Sequence, residues 1–519
     1  MRNRLAILLI ACASSALAQS TEPPVVLGTL AGAPAPHLRA HGLYGTDLGW
    51  TFPHKDKLFI LFGDSWHEPD SVCSFATAGL PKNDDAFATL PSTYPGGVPA
   101  PQFAALPDFP DAFEPIQVIR DGVSLNMGLD RTPLTGFSDG VRAIAAFESA
   151  DFLRCDGAQD GNCPVPFQCA ATLGECQPSP LEIPQLCDAK RTTSCGYGQL
   201  CIPSGKKYCI DRSSSQPSAS QQVALEVELS VPRDGAPTVW DSKLTFPTNK
   251  FYNMTSRTVT SLGAIGQAPD YRPGNSTVLI WGRPGFLADP DSQVGLYLMA
   301  HDLPLQEDAA GKLVFTPRYF AGLAATGEPR WTPLQARAVP LALDGQLGGD
   351  PSETVRTINQ MAVSWLGAPI NKWIMLYGGG RGSWLAPDTD SAVAAGAIAL
   401  RFADHPWGPW SPAQTHWSSG GPTQAHTPLG PGGVIYHPEC VAQGSLGCAA
   451  SDPVRPSHVF NELCAPPSIE TDTGFLYAAN IIDAYTQPNA RGGLDVYWNV
   501  STWNPYRVLL MRSSFFVAP

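Results

Sequence analysis

Gly45-Thr46-Asp47-Leu48-Gly49-Trp50-Thr51-Phe52-Pro53-His54-Lys55-Asp56-Lys57-Leu58-Phe59-Ile60-Leu61-Phe62-Gly63-Asp64-Ser65-Trp66 reads as a β-hairpin. Two apolar arms, Leu48 to Phe52 and Leu58 to Phe62, flank a polar turn centred between Lys55 and Asp56. Pairing that runs symmetrically from the turn sets Asp47 opposite Asp64 at the open end. Directly opposed strand positions have Cβ atoms roughly 4.5–5.5 Å apart, and like charges there are destabilising. One carboxylate beside another can hold a proton at neutral pH, which suits general acid and base work on a glycosidic bond. The plainer reading is that both are turn aspartates capping backbone N–H groups, since T-D-x-G and G-D-S are ordinary turn chemistry.

Outward from the hairpin, the same grammar recurs. From Val223 to Val231 every odd position is Val or Leu, and the even positions are Ala224, Glu226, Glu228 and Ser230, a period-2 strand with one polar face. Further strands are expected at Leu58 to Phe62, Val278 to Trp281, Gly295 to Met299, Trp373 to Tyr377, Phe475 to Ile481 and Val508 to Met511. The chain of 519 residues holds 51 prolines and 49 glycines, and only 15% of it is charged, where about 25% is usual. Nothing long shows a 3.6-residue period. The class is all-β, and periodicity alone leaves sandwich, barrel and propeller open. A length beyond the roughly 250–300 residues of a single core calls for several domains or one ring of repeats. The net charge of −13, without a basic run, gives no electrostatic reason to expect nucleic acid or anionic membrane as a partner.

The first residues and the cysteines speak to compartment. Arg2 and Arg4 precede the apolar run Leu5 to Ala11, and Ala16-Leu17-Ala18 offers a small-x-small cleavage site, so residues 1–18 read as a secretory signal peptide. Leu9-Ile10-Ala11-Cys12 also has the shape of a bacterial lipoprotein box, which would anchor the protein through Cys12 at the cell surface. No later stretch reaches the roughly 18 apolar residues of a membrane span, so no transmembrane segment is expected. Thirteen cysteines less Cys12 leave twelve, a number suited to six disulfides. Cys155, Cys163, Cys169 and Cys176 are separated by 8, 6 and 7, and Cys187, Cys195, Cys201 and Cys209 by 8, 6 and 8, an internal duplication. Each unit is too small for a hydrophobic core, and two disulfides apiece would supply the constraint. Zinc is disfavoured because C-x2-C pairs and histidine are missing from the segment. By elimination, Cys73 reaches to Cys440, Cys448 and Cys464, which would join the chain ends. A Ser-rich linker, Ser213 to Ser218, follows the repeats. Residues 150–222 therefore read as an insertion between two parts of one domain, 19–149 and 223–519.

Several familiar chemistries are absent. Gly63-Asp64-Ser65 invites a GDSL-type esterase reading with Ser65 as nucleophile, but the required D-x-x-H is missing, Asp452 and His458 being six apart. There is no G-x-S-x-G elbow, sialidase-type S-x-D-x-G-x-x-W box, H-E-x-x-H or P-loop. No cofactor and no metal are expected.

Thr46-Asp47-Leu48-Gly49 followed by Leu58 to Ser65 resembles the opening blade of the domain-of-unknown-function 4185 family. Similar in kind are Val278 to Arg283 with Gly295 to Leu298, Lys372 to Tyr377, Tyr436-His437-Pro438 and Ser501 to Met511, in family order and covering nearly the whole chain outside the cysteine-rich insertion. The resemblance implies a five-bladed β-propeller. It also implies an endo-D-arabinanase-like glycoside hydrolase, because some members cut arabinan with a pair of aspartates that Asp47 and Asp64 match. Trp66, Trp281, Arg283, His437, Trp503 and Tyr506 in these motifs are candidates for a sugar-binding rim. Where relatives often carry Gly-Glu-x-Ser, this chain has Asn359-Gln360-Met361-Ala362, so a third carboxylate is missing there. The expected partner is a polysaccharide or cell-surface glycan. The alternative is a propeller that holds the glycan without cutting it, with the cysteine-rich pair as an adhesion module. At the roughly 40–50 residues typical of a repeat blade the chain is long for five, so long loops or a sixth or seventh blade must absorb the excess.

Overall fold

The computed structural model of the chain describes residues 19–32, 43, 45–66, 83–106, 109–120, 123–125, 132–148, 167–170, 175–178, 199–202, 208–211, 225–248, 250–251, 253–259, 276–283, 296–343, 358–379, 397–418, 476–502 and 507–517. They form sheets that are antiparallel apart from one parallel pairing, with two single-turn 3₁₀ segments, Gln335–Arg337 and Asp483–Tyr485. Blade I runs outward as Gly45–His54, Lys57–Trp66, Asn83–Leu90 and Gln102–Phe103. In blade II Pro133–Ser138, Ala143–Glu148, Leu225–Arg233 and Ala236–Thr248 follow one another, and Gln117–Arg120 adds a parallel strand outside them. Blade III is Asn253–Val259, Ser276–Arg283, Tyr297–Leu303, Arg318–Leu323 and Pro329–Thr332. Blade IV is Ile358–Leu366, Lys372–Gly379, Ala397–Ala403 and Gln414–Ser418. Blade V is Leu476–Ile481, Leu494–Thr502 and Arg507–Val517, and the N-terminal strand Val25–Gly32 supplies its fourth place.

The first strand of each blade touches the first strand of the next, I to II to III to IV to V and back to I. This closed ring makes the molecule a five-bladed β-propeller, and the surplus length lies in connections rather than in further blades. The apolar cores lie between blades. Trp281 of blade III packs on Trp373 of blade IV at 5.6 Å, and Trp417 of blade IV meets Trp498 of blade V at 6.4 Å. Between I and II the seam is aromatic, with Phe59 on Phe87 at 5.0 Å and Phe87 on Trp240 at 6.1 Å. Hydrophobic burial of such rings is worth about 1.5–3 kcal/mol each, which explains why a sequence poor in charge and rich in aromatics closes into a ring.

The strands expected from the sequence overlap observed ones, although Val223, Ala224, Gly295 and Phe475 lie outside the described residues and Leu296 precedes its strand, and there is one difference in burial. Val227 and Leu229 are buried, but so are Glu228 and Ser230 on the supposedly polar face. That face is covered because Gln117–Arg120 crosses onto blade II and brings Arg120 into an ion pair with Glu228, which also accepts from Ser242 Oγ at 2.9 Å. Glu148 pairs with Val227, so the chain leaves blade II at residue 148 and re-enters the same sheet at 225. Within that stretch two small hairpins set Cys169 opposite Cys176 and Cys201 opposite Cys209. The duplicated spacing is thus also a duplicated backbone pattern, and the one-residue difference falls in the turn. Cys73, Cys440, Cys448, Cys464 and residues 1–18 lie outside the described residues. The chain ends do meet, through strand pairing: Val25 faces Arg512 and Gly32 faces Arg507. No helix among the described residues is long and apolar enough to cross a membrane.

At the face where the first strands end, Arg257 of blade III ties three blades. Its Nε donates to Val363 O at 2.7 Å, its Nη2 donates to Ile481 O at 2.8 Å, and it pairs with Asp483 at 2.9 Å. Farther out, His416 of blade IV is buried against Phe515, with Nε2 2.8 Å from Ser513 Oγ. Burial lowers its pKa to about 3 from 6.5. The folded imidazole stays neutral while the unfolded chain takes up a proton below 6.5, so this contribution is undiminished above that pH. It is lost progressively as pH falls toward 3, at about 1.4 kcal/mol per pH unit. Urea unfolding should therefore show a loss of about 2 kcal/mol between pH 7 and 5 that is absent from His416→Phe. Equal pH dependence in the two proteins would disprove this assignment.

Candidate functional site

Around the turn, the hairpin register is the one the sequence implies: His54 faces Lys57, and Trp50 faces Leu61. It then slips. A bulge between Leu48 and Trp50 removes one residue from the ladder, so Asp47 faces Gly63 and not Asp64. The cause is Gly49, whose φ of +79° is open to glycine and strained for other residues. Asn480 and Asn499, paired across blade V, both donate Nδ2 to Gly49 O, at 2.9 and 2.7 Å. They pin the bulge from outside the hairpin.

A second bulge on the other side of Lys57–Trp66 completes the arrangement. Phe62 faces Ala86 and Ser65 faces Asp84, so Gly63 and Asp64 together oppose the single residue Asp85. Asp85 is fully buried, and its Oδ1 accepts the Asp64 main-chain N–H at 3.1 Å. Three carboxylates from three adjacent strands thus sit at one level of blade I. Asp47 is buried and Asp64 half-buried. From blade V, Tyr477 donates its hydroxyl to Asp47 Oδ2 at 2.9 Å. Thr46 Oγ1 and Ser65 Oγ lie 2.8 Å apart, and both hydroxyls donate to Gly63 O. Ser65 has no exposed surface, which leaves its hydroxyl as a brace for the bulge and not a nucleophile.

Backbone strain concentrates here. Five non-glycine residues among those described have positive φ; Lys55 and Asn371 sit in tight turns, and the other three are Leu48 at 62°, Asp64 at 30° and Ala478 at 49°. Each of these three is a site aspartate or the neighbour of a site residue. Such conformations cost on the order of 1–3 kcal/mol apiece and persist where surrounding structure over-determines them. Gly63 is equally constrained, since a Cβ there would lie 2.7 Å from Asp47 Oδ1 and 2.6 Å from Leu48 Cδ1. Gly63→Ala should cost about 1–3 kcal/mol through overpacking and displace Asp47. A urea midpoint equal to that of the unsubstituted protein would contradict this close approach.

Arg283 ends the second strand of blade III, fully buried, and burial lowers its pKa to about 10. It stays cationic at neutral pH, and so does Arg507, also lowered to about 10 by burial, at the start of the third strand of blade V. Trp281 is packed between blades with Nε1 donating to Pro406 O at 2.9 Å, so it offers no ring face to a sugar. Trp66 occupies the strand end opposite Gly45. His437, Trp503 and Tyr506 lie outside the described residues. Asp85, Tyr477, Asn480 and Asn499 are the residues sequence reasoning missed. The Asn83-Asp84-Asp85 run before an apolar strand was a visible signal for the first, whereas nothing local marks the other three. Among the described residues no group of three or more His, Cys, Asp or Glu side chains is placed to hold a metal ion.

Compared by sequence, the protein matches no protein-family model and no curated protein. Among solved structures, a complex of BT0996 with RGII aligns over 95% of this protein and 92% of its own length, at 10% identity and a TM-score of 0.32. A likeness that low carries no argument about chemistry; the blade count stands on the strand pairing and the closed ring.

Proposed function

We propose that the protein is a glycoside hydrolase of endo type that cuts an arabinan-like polysaccharide, exported to the cell surface or beyond. The observation that supports this reading is the placement of Asp47 and Asp64 at bulged positions on adjacent strands of the opening blade, next to or in strained backbone. Glycosidic cleavage needs two carboxyl groups flanking one bond, one to protonate the departing oxygen and one to act as nucleophile or as base toward water. The motif resemblance to the domain-of-unknown-function 4185 family names the same two residues and supplies the substrate class.

The test is reducing-end release from a panel of arabinans and other polysaccharides incubated with the pure protein. Release from an arabinan that stops with Asp47→Asn supports the proposal. A polysaccharide that is retained but recovered intact after long incubation rejects hydrolysis in favour of a binding propeller.

A further inference from the structure

At the face of the ring away from Asp47 and Asp64, the first strands of blades I and II end side by side. Asp47 lies near the start of Gly45–His54 and His54 at its end, so at about 3.3 Å per residue the two are roughly 20 Å apart. His54 Nδ1 lies 2.8 Å from the hydroxyl oxygen of Ser138, the last residue of Pro133–Ser138. Both residues are half-buried, so the pair is held by the fold and still reached by solvent.

The second partner of the hydroxyl bears on its direction. Gly140 N–H donates to Ser138 Oγ at 3.1 Å, which occupies one lone pair and leaves the hydroxyl proton for the imidazole. A donor on that oxygen also favours the negative charge it gains as its proton departs. Burial and then the neighbouring Lys55 lower the His54 pKa, against a smaller opposing pull from Asp139. The ring is therefore neutral at pH 7 and has a lone pair to offer. The charge of Asp139 is in turn balanced by Arg142, whose Nε and Nη2 donate to its Oδ2 at 3.0 and 2.7 Å.

The turn that carries Ser138 is braced on its inner side and open on its outer one. Asp139 Oδ1 accepts the main-chain N–H groups of Val141 and Arg142 at 2.9 and 2.6 Å, and Asp139 N–H donates to Arg142 O at 3.1 Å. From blade III, Thr258 Oγ1 donates to Ser138 O at 3.4 Å. By contrast, a Cβ built on Gly140 would meet nothing within 4 Å, and Val141 is 63% exposed. A hydroxyl fixed against its base, with open space beside it, has the arrangement of an activated nucleophile.

We propose that Ser138 and His54 form a second reactive site, a nucleophile and its base, for small carboxylic esters. This site stands apart from the hydrolase reading and does not depend on it. Ser138 Oγ bonds the acyl carbon while His54 Nδ1 takes the hydroxyl proton; the ester C–O bond breaks, and that proton leaves with the departing oxygen. Water then attacks the acyl group with His54 again as base, which releases the acid and restores the serine. The Lys55 ammonium, near enough to lower the His54 pKa, adds positive charge for the developing oxyanion.

The probes are p-nitrophenyl acetate and diisopropyl fluorophosphate, each incubated with the full chain. Intact mass should show one adduct per chain, and peptide mapping should place it on Ser138. His54→Gln should slow its formation by at least about 10², the worth of a positioned base, and Ser138→Ala should abolish it. No adduct, an adduct spread over other serines, or an unchanged rate in His54→Gln would reduce the contact to a brace between blades and overturn the site. Nitrogen-15 imidazole spectra of the unsubstituted protein decide the matter even if a variant does not fold. His54 Nδ1 should be the unprotonated nitrogen at pH 7, and an Nδ1 that carries the proton also overturns the proposal.

Discussion

Asp47→Asn and Asp64→Asn, made separately, are each expected to lower polysaccharide turnover by at least about 10² to 10⁴, the usual worth of a positioned acid or base. Both side chains emerge from strands whose backbone is already committed, Asp47 beside Leu48 at φ +62° and Asp64 itself at +30°. Asparagine is isosteric and should leave the fold intact. Melting temperature checks that before any rate is compared, and two folded variants that each retain more than about a tenth of the rate would end the paired-aspartate mechanism. Asp85→Asn belongs in the same experiment. Asparagine keeps an oxygen for the Asp64 N–H but removes the charge, so a loss smaller than for Asp64 would mark Asp85 as acting through Asp64 and not on substrate.

Removing the residues before 33 is expected to cost about 5 kcal/mol or more, a large share of the roughly 5–15 kcal/mol that holds an ordinary domain together. Val25–Gly32 is the strand that closes the ring, and it pairs with Arg507–Val517 from Val25 opposite Arg512 to Gly32 opposite Arg507. Leu30 and Ala31 are fully buried in the core shared with Ile60, Phe62, Val508 and Leu510. Loss of a buried leucine alone costs about 2–5 kcal/mol, and each ladder hydrogen bond adds roughly 0.5–1.5. The uncovered edge of Arg507–Val517 would then be free to pair with another copy, the usual hazard of an exposed strand. Thermal melting and size-exclusion chromatography test this, and a truncated protein that stays monomeric and melts within about 5 °C of the full one would refute it.

The strand at residues 223 to 231 shows what periodicity can mislead about. Its alternation is real, yet both faces are buried, because Arg120 arrives from a crossing strand more than a hundred residues earlier and neutralises Glu228. Alternation reports that two faces differ. It does not report which of them meets water.

What the sequence by itself determined is everything that depends on neighbours a few residues apart: the all-β class, the positions of the strands, the hairpin turn at Lys55 and Asp56, the duplicated cysteine spacing and its interruption of blade II. The register next to the turn belongs here too, since four residue pairs from Trp50–Leu61 to Pro53–Leu58 follow from the turn alone. What only the tertiary structure decided is the geometry at the open end of that hairpin. Asp47 faces Gly63 because Asn480 and Asn499, some 430 residues away in the chain, hold the carbonyl of Gly49 in a bulge. Tyr477 reaches Asp47 only because the fifth blade closes against the first. Ring closure couples residues that no local pattern connects, so the number of blades, the third carboxylate and the environment of each aspartate are properties of the closed ring.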